Sequence, residues 1–301
     1  MDKKKVSIIL PVYDGQKHIT NAINSILNQT YSNWELIIVN DCSTDNTLQI
    51  AEKFAQTDSR IKVYSNERNL KLPMTLNAGF RHATGDYFTW TSDDNMFKPE
   101  AIEVLVDYLE KNSNVSMVYS DYTDIDVDGN VLKEIRLWDA KYLVTGNVCG
   151  ACFMYTAEAA ARVGEYDANL FLAEDYDYWI RIARYGKVCH IDKNLYLYRK
   201  HDESLTETKK TSINLQTYKA IEKNFLFMYV WAKENNLQFQ LFDHMMKRIS
   251  GNEIAEIKQR LLSVNPGYKR HLFKKHVKAR IRGSFYWHCL RRLKGILQKD
   301  G

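Results

Sequence analysis

No apolar run in this chain approaches the roughly 20 residues that cross a bilayer. Even the stretch from Phe225 to Ala232 ends after eight. The apolar start, Val6 to Leu10, is interrupted by Pro11, Tyr13, Asp14 and Gly15, too early for a signal peptide, so a cytoplasmic protein is expected. Cysteine is scarce: Cys42, Cys149, Cys152, Cys189 and Cys289 are odd in number and scattered, which excludes a disulfide framework. Cys149-Gly150-Ala151-Cys152 has redox-like spacing but no second Cys or His pair beside it, and it reads as packing. The run Asp124-Ile125-Asp126-Val127-Asp128-Gly129 lacks a Glu six residues after its glycine, where Ile135 stands. That argues against a calcium loop and for a hairpin turning at Asp128-Gly129.

What is present is a folded chain of 301 residues with 45% hydrophobic and 26% charged content, ample for a sizeable core. Its net charge of +5 hides a split: residues 205–301 carry 20 Lys and Arg against 7 Asp and Glu, residues 1–204 carry 22 against 30. We expect a boundary near Ser204, with a first domain over 1–204 and a basic helical extension over 205–301.

The pattern of the first part alternates. Strands are expected at Val6–Leu10, Glu35–Val39, Ile61–Tyr64 and Tyr87–Trp90, with helices over 18–29, from Leu48 through Phe54, and over 72–83 between them. A helix follows over 100–112, a strand at Val115–Tyr119, and a small-residue strand over 146–154 leading into a helix from Thr156 to Val163. Strand and helix in alternation demand an α/β fold with a mainly parallel sheet, in which ligands bind at the carboxyl ends of the strands.

Three such ends are chemically distinctive. Pro11-Val12-Tyr13 offers an aromatic, Asn40-Asp41 a carboxylate, and Ser92-Asp93-Asp94 two adjacent acids. Two carboxylates together repel each other, and a shared Mg²⁺ or Mn²⁺ on a diphosphate relieves that cost. Tyr13 could stack on a base and Asp41 could accept from a ring N–H. Locally, Asp41 reads equally as an Asx-turn or helix N-cap, and Asp93 or Asp94 as an N-cap.

Val6 to Tyr13, Asn40-Asp41-Cys42-Ser43-Thr44-Asp45-Asn46-Thr47 and Ser92-Asp93-Asp94, in that order, resemble the nucleotide-sugar-binding half of a family 2 inverting glycosyltransferase of the GT-A fold. The resemblance spans roughly residues 5 to 204. It implies a UDP-sugar held by Pro11, Val12, Tyr13, Asp41 and Asp93, with Mn²⁺ or Mg²⁺ on Asp93 and Asp94. One departure stands out: the first position of the usual Asp-x-Asp motif is Thr91. Glu174-Asp175, at the opening of an amphipathic helix, resembles the family's Glu-Asp motif, which implies Asp175 as general base with Glu174 beside it. Acids there also suit the helix dipole. The stretch Tyr196 to Ser204 resembles the strand and loop closing this domain. His201 there is expected at the metal or diphosphate, and Arg199 at phosphate or at Asp202.

These resemblances imply an inverting transfer to a glycan or polyprenol-linked acceptor in surface polysaccharide synthesis. A sugar nucleotidyltransferase fits less well, because Pro11-Val12-Tyr13-Asp14-Gly15 stands where its glycine-rich, basic phosphate loop belongs. An inert nucleotide-sugar-binding scaffold is opposed by Asp41, Asp93, Asp94, Glu174 and Asp175. In the extension, helical periodicity is expected over 211–234 and 241–262. Residues 268–301 mix Lys and Arg with Phe273, Phe285 and Trp287, which reads as a peripheral membrane or partner segment, or as a packed helical extension. No nucleic-acid motif accompanies the charge.

Overall fold

Val6–Val12 (β1) is buried at every position, a run of aliphatic side chains that only a strand covered on both faces can hide. The computed structural model describes residues 3–248 and Gly267. Ile19–Leu27 (α1) follows β1 and turns Ile19, Ala22, Ile23 and Ile26 into the core, the one-sided spacing of an amphipathic helix. The alternation continues with Trp34–Asn40 (β2), Thr47–Thr57 (α2), Ile61–Ser65 (β3), Leu72–Phe80 (α3) and Tyr87–Trp90 (β4). Pro73 opens α3, where its missing N–H costs no helix bond. Gly79 lets α3 lie close on β1, since a Cβ there would stand 2.5 Å from Ile9 Cγ2.

The second half comprises Met96–Phe97 (β5), Ala101–Lys111 (α4), Val115–Ile125 (β6), Val131–Ile135 (β7), Phe153–Thr156 (β8), Ala157–Val163 (α5), Glu174–Tyr185 (α6) and Lys187–Arg199 (β9). The helices Leu205–Thr208 (α7), Lys210–Lys223 (α8), Phe225–Glu234 (α9) and Gln238–Met246 (α10) follow. One sheet runs β3-β2-β1-β4-β8-β6-β9-β5, with β7 paired to β6. Strands β1 to β4 are parallel where they pair, β6 and β9 are parallel, and β8 lies antiparallel between β4 and β6. This is the expected α/β, mainly parallel architecture. It puts the ends of β1, β2 and β4 along one rim.

Several expectations were off in detail. Residues 146–152 form no strand; only Phe153–Thr156 does, because Gly146 (φ 152°) and Gly150 (φ 60°) hold conformations outside the β region. The helix expected over 211–234 is broken at Asn224 into α8 and α9. The closing strand is longer than its apolar tip suggested, running the 13 residues of β9. Chain up to Leu237 forms one compact unit that contains α7 to α9, and α10 belongs to a second. The remainder of the helix expected over 241–262 and the basic stretch 268–301 lie outside the described residues.

Candidate active site

The loops that leave β1 and β2 are laced together by side chains. Asp14 Oδ1 accepts from Thr44 N at 2.7 Å, Asp45 Oδ2 from Gln16 N at 3.1 Å, and Gln16 Oε1 from Asn46 N at 3.1 Å. Asp45 also turns back on its own segment, accepting from Thr47 N at 2.9 Å. That is the local turn chemistry considered for Asp41, and it frees Asp41 for another task. Asp41 is buried. Its Oδ1 accepts from Asn66 Nδ2 and Leu70 N, both at 2.8 Å, and its Oδ2 from Lys71 N at 3.0 Å. It thereby anchors the 66–71 loop, including Lys71 at a φ of 70°, a conformation costly for a residue with a Cβ. Oδ2 keeps room for one further donor. Beside it, Tyr13 stands 49% exposed at the end of β1, presenting its ring to solvent after Pro11 and Val12.

Asp93 and Asp94 leave β4 at the same rim. Asp93 is pressed against Gly15, where a Cβ would stand 2.2 Å from its Oδ2; only glycine admits that approach. Burial, then the charge of Asp94, pushes its carboxyl up to about 7. Asp94 Oδ2 lies 3.0 Å from His201 Nε2, while its Oδ1 is buried without a hydrogen-bond partner. An orphaned buried carboxylate oxygen is costly, and a divalent cation is the kind of partner that satisfies it. Among the described residues, no three His, Cys, Asp or Glu side chains are grouped to hold a metal by themselves. A cation here would therefore take its remaining ligands from phosphate and water, as Mg²⁺ commonly does. The residues fit a metal shared with a substrate, with His201 as the partner of Asp94 rather than the third wall of a cage.

Thr91, the departure from the usual motif, is buried and its hydroxyl bonds the Tyr196 hydroxyl at 2.5 Å. It is a core residue. Arg199 is also buried and donates to three carbonyls, those of Asp94 (3.1 Å), Asp126 (3.0 Å) and Val127 (2.7 Å). Its own N–H donates to Asn95 Oδ1 at 2.8 Å. The pairing with Asp202 does not form; the guanidinium ties the Asp94 loop to the β6–β7 turn, a positioning role in place of the expected phosphate contact.

Glu174 and Asp175 diverge at the first turn of α6. Glu174 is buried and accepts from Leu172 N at 2.6 Å, bracing a residue whose φ is 81°. Asp175 is half-buried; its Oδ2 accepts from Asn147 Nδ2 at 2.7 Å and its Oδ1 from Tyr176 N at 2.6 Å. Burial raises both carboxyls above the ordinary range, and in Glu174 the charge of Asp175 adds to it. The outward acid of the pair is thus Asp175. Burial raises the Tyr198 phenol, and the charges of Asp94, Asp124 and Asp175 raise it further. Asp94 after β4 and Asp175 of α6 thus both lie near enough to this phenol for their charges to act on it.

Sequence reasoning missed Asn147, Gly15 and His18, whose ring centroid lies 6.0 Å from that of His201. Burial, then Arg199 and Lys17, lowers the His18 pKa. None of the three carries a local signal, because each acts through a residue distant in sequence.

Residues 7–164 match the family model described as Glycosyl transferase family 2. An uncharacterized glycosyltransferase of Haemophilus influenzae is 33% identical over 242 residues, covering 75% of this chain and 74% of that protein. Chondroitin synthase of Escherichia coli is 29% identical over 216 residues, 71% of this chain but 31% of that longer protein. Among solved structures, S. aureus TarS 1-349 in complex with UDP superposes with a TM-score of 0.58 at 17% identity, covering 81% of each chain. At that identity the likeness speaks for the fold.

Proposed function

This chain belongs to glycosyl transferase family 2, and on that footing we propose that it moves a sugar from a UDP-sugar to a hydroxyl of a glycan or lipid-linked acceptor. We place the reaction in the building of a surface polysaccharide, with inversion at the anomeric carbon and with Mn²⁺ or Mg²⁺ as cofactor. The observation that carries the reading is the buried Oδ1 of Asp94 at the end of β4, which no protein group satisfies. The complexes of TarS with UDP and with UDP-GlcNAc, both crystal structures of that protein, support the choice of donor.

In this reading the uracil stacks on Tyr13, and its ring N–H reaches the spare capacity of Asp41 Oδ2. Asp93 and Asp94 would hold the divalent cation, which supplies neutralisation of the charge on the departing diphosphate. A sugar hydroxyl is a poor nucleophile until a base takes its proton as attack proceeds. Asp175 takes it, held in place by Asn147 and by Tyr176 N–H. Its raised pKa makes the ionised carboxylate a stronger base than an ordinary aspartate and moves the pH at which it ionises upward. The new oxygen–carbon bond forms opposite the breaking bond to the diphosphate, so the anomeric configuration inverts without a covalent enzyme intermediate.

A calorimetric panel of UDP-, GDP- and dTDP-sugars with and without Mn²⁺ tests this. We expect a UDP-sugar to bind selectively, tighter with Mn²⁺, and to give a product of inverted configuration by NMR. Binding indifferent to the cation, or retention of configuration, would count against it.

A further inference from the structure

A second concavity of about 750 Å³ lies away from the donor rim, within the usual range for small-ligand sites. Its walls come from the C-terminal end of α6, the start of β9, the short 3-10 helix Ala140–Thr145 and Trp231 of α9. Lys141, Arg184 and Lys187 line it together with the ring of Tyr185, which is 52% exposed.

The charge around this pocket is unbalanced. None of the three cations has a carboxylate partner among the described residues: Arg184 instead donates to Asn224 Oδ1 at 3.2 Å and lies over the Phe227 ring, and Lys141 lies over Tyr142. The one acid among the lining residues, Asp139, accepts through Oδ1 from Lys141 N at 2.9 Å, so the lining holds three cations against one carboxylate. His190, also on the wall, is backed from the protein side by Asp121 Oδ1 at 2.7 Å. Three cations against one carboxylate around a concave site favour an anion, and the exposed ring of Tyr185 offers a flat face to the C–H face of a sugar ring. A carbohydrate bearing carboxylates meets both demands.

We propose that this pocket is a second binding site for an acidic glycan, separate from the reaction centre. Arg184 stands nine residues along α6 from Asp175, about 13 Å along the helix axis at 1.5 Å per residue. One helix thus carries the base at one end and one of the glycan-holding cations, Arg184, at the other. The choice of a carbohydrate ligand rests on the transferase reading, but the site itself is tested by binding alone.

The test is calorimetric titration of the full chain with a galacturonate hexamer, maltohexaose and pyrophosphate. The hexuronate is expected to bind saturably, with its Kd raised at least tenfold (about 1.4 kcal/mol) in the double variant Lys141→Glu, Lys187→Glu. Both lysines are exposed, so the variant should fold, and UDP affinity should stay unchanged. Equal hexuronate affinity in the double variant, or maltohexaose binding as tightly, would overturn the proposal. Pyrophosphate binding as tightly, with the same loss in the double variant, would overturn the carbohydrate class. Failure of UDP binding, by contrast, would strike the transferase reading and leave the pocket result standing.

Discussion

At the scale of single residues, the account turns on how Asp175 is held. The Asn147 amide bonds its carboxylate at 2.7 Å, a contact that favours the ionised form and opposes the rise caused by burial. Asn147→Ala removes that support, so the carboxyl pKa rises further and a larger share of the base is protonated at neutral pH. We expect kcat to fall about 10- to 100-fold, the worth of one hydrogen bond to a charged group. The acid limb of the kcat profile should move to higher pH, with UDP affinity unchanged; an unmoved limb would show that the amide does not steady the base. The acids themselves were legible in the sequence because strand ends and helix starts expose polar residues in recognisable runs. Asn147 was not, since it sits in a loop whose course is set by the positive φ values at Gly146 and Gly150. The inward turn of Glu174 and the burial of Arg199 were equally hidden, as both depend on backbone groups that only the folded chain brings near.

At the scale of elements, one buried and one half-buried acid fasten the scaffold. Asp177 of α6 is fully buried and meets Arg181 at 2.8 Å, Lys223 at 3.1 Å and Asn224 Nδ2 at 2.8 Å, so it pins the junction of α8 and α9 to the helix that carries the base. Asp177→Ala removes the acceptor these three groups share, while Lys223 keeps Asp167 and Arg181 keeps two carbonyls, and we expect a loss of about 1–3 kcal/mol in urea unfolding. Glu35 of β2 bonds Ser7 of β1 at 2.6 Å, Lys5 at 2.7 Å and Thr84 N at 2.7 Å. Burial pushes its carboxyl up, but these hydrogen bonds outweigh it and the net pKa is lowered. Its contribution is therefore complete above the ordinary glutamate range and drains away as pH falls through the lowered value. The gap in urea midpoint between the wild type and Glu35→Gln should be widest at neutral pH and close in acid; a gap constant with pH would contradict the assignment. The strands and amphipathic helices of the first half were readable because their periodicity is strong. The break at Asn224 was not, because apolar residues continue on both sides of it.

At the scale of the whole molecule, no helix among the described residues is long and apolar enough to cross a membrane. The acidic and basic parts seen in the composition do not map onto a structural division at Ser204, since α7 to α9 belong to the first compact unit. Charge reports how a surface is solvated, whereas a domain boundary reports where packing stops. The central claim is that the acid opening α6 acts on the acceptor while the acids after β4 serve the donor. The most direct test is Asp175→Asn, with UDP release from the UDP-sugar selected by calorimetry measured beside the Kd for UDP in Mn²⁺. Turnover should fall by about 10²–10⁴ with the Kd within a few fold of wild type; undiminished turnover would contradict the account.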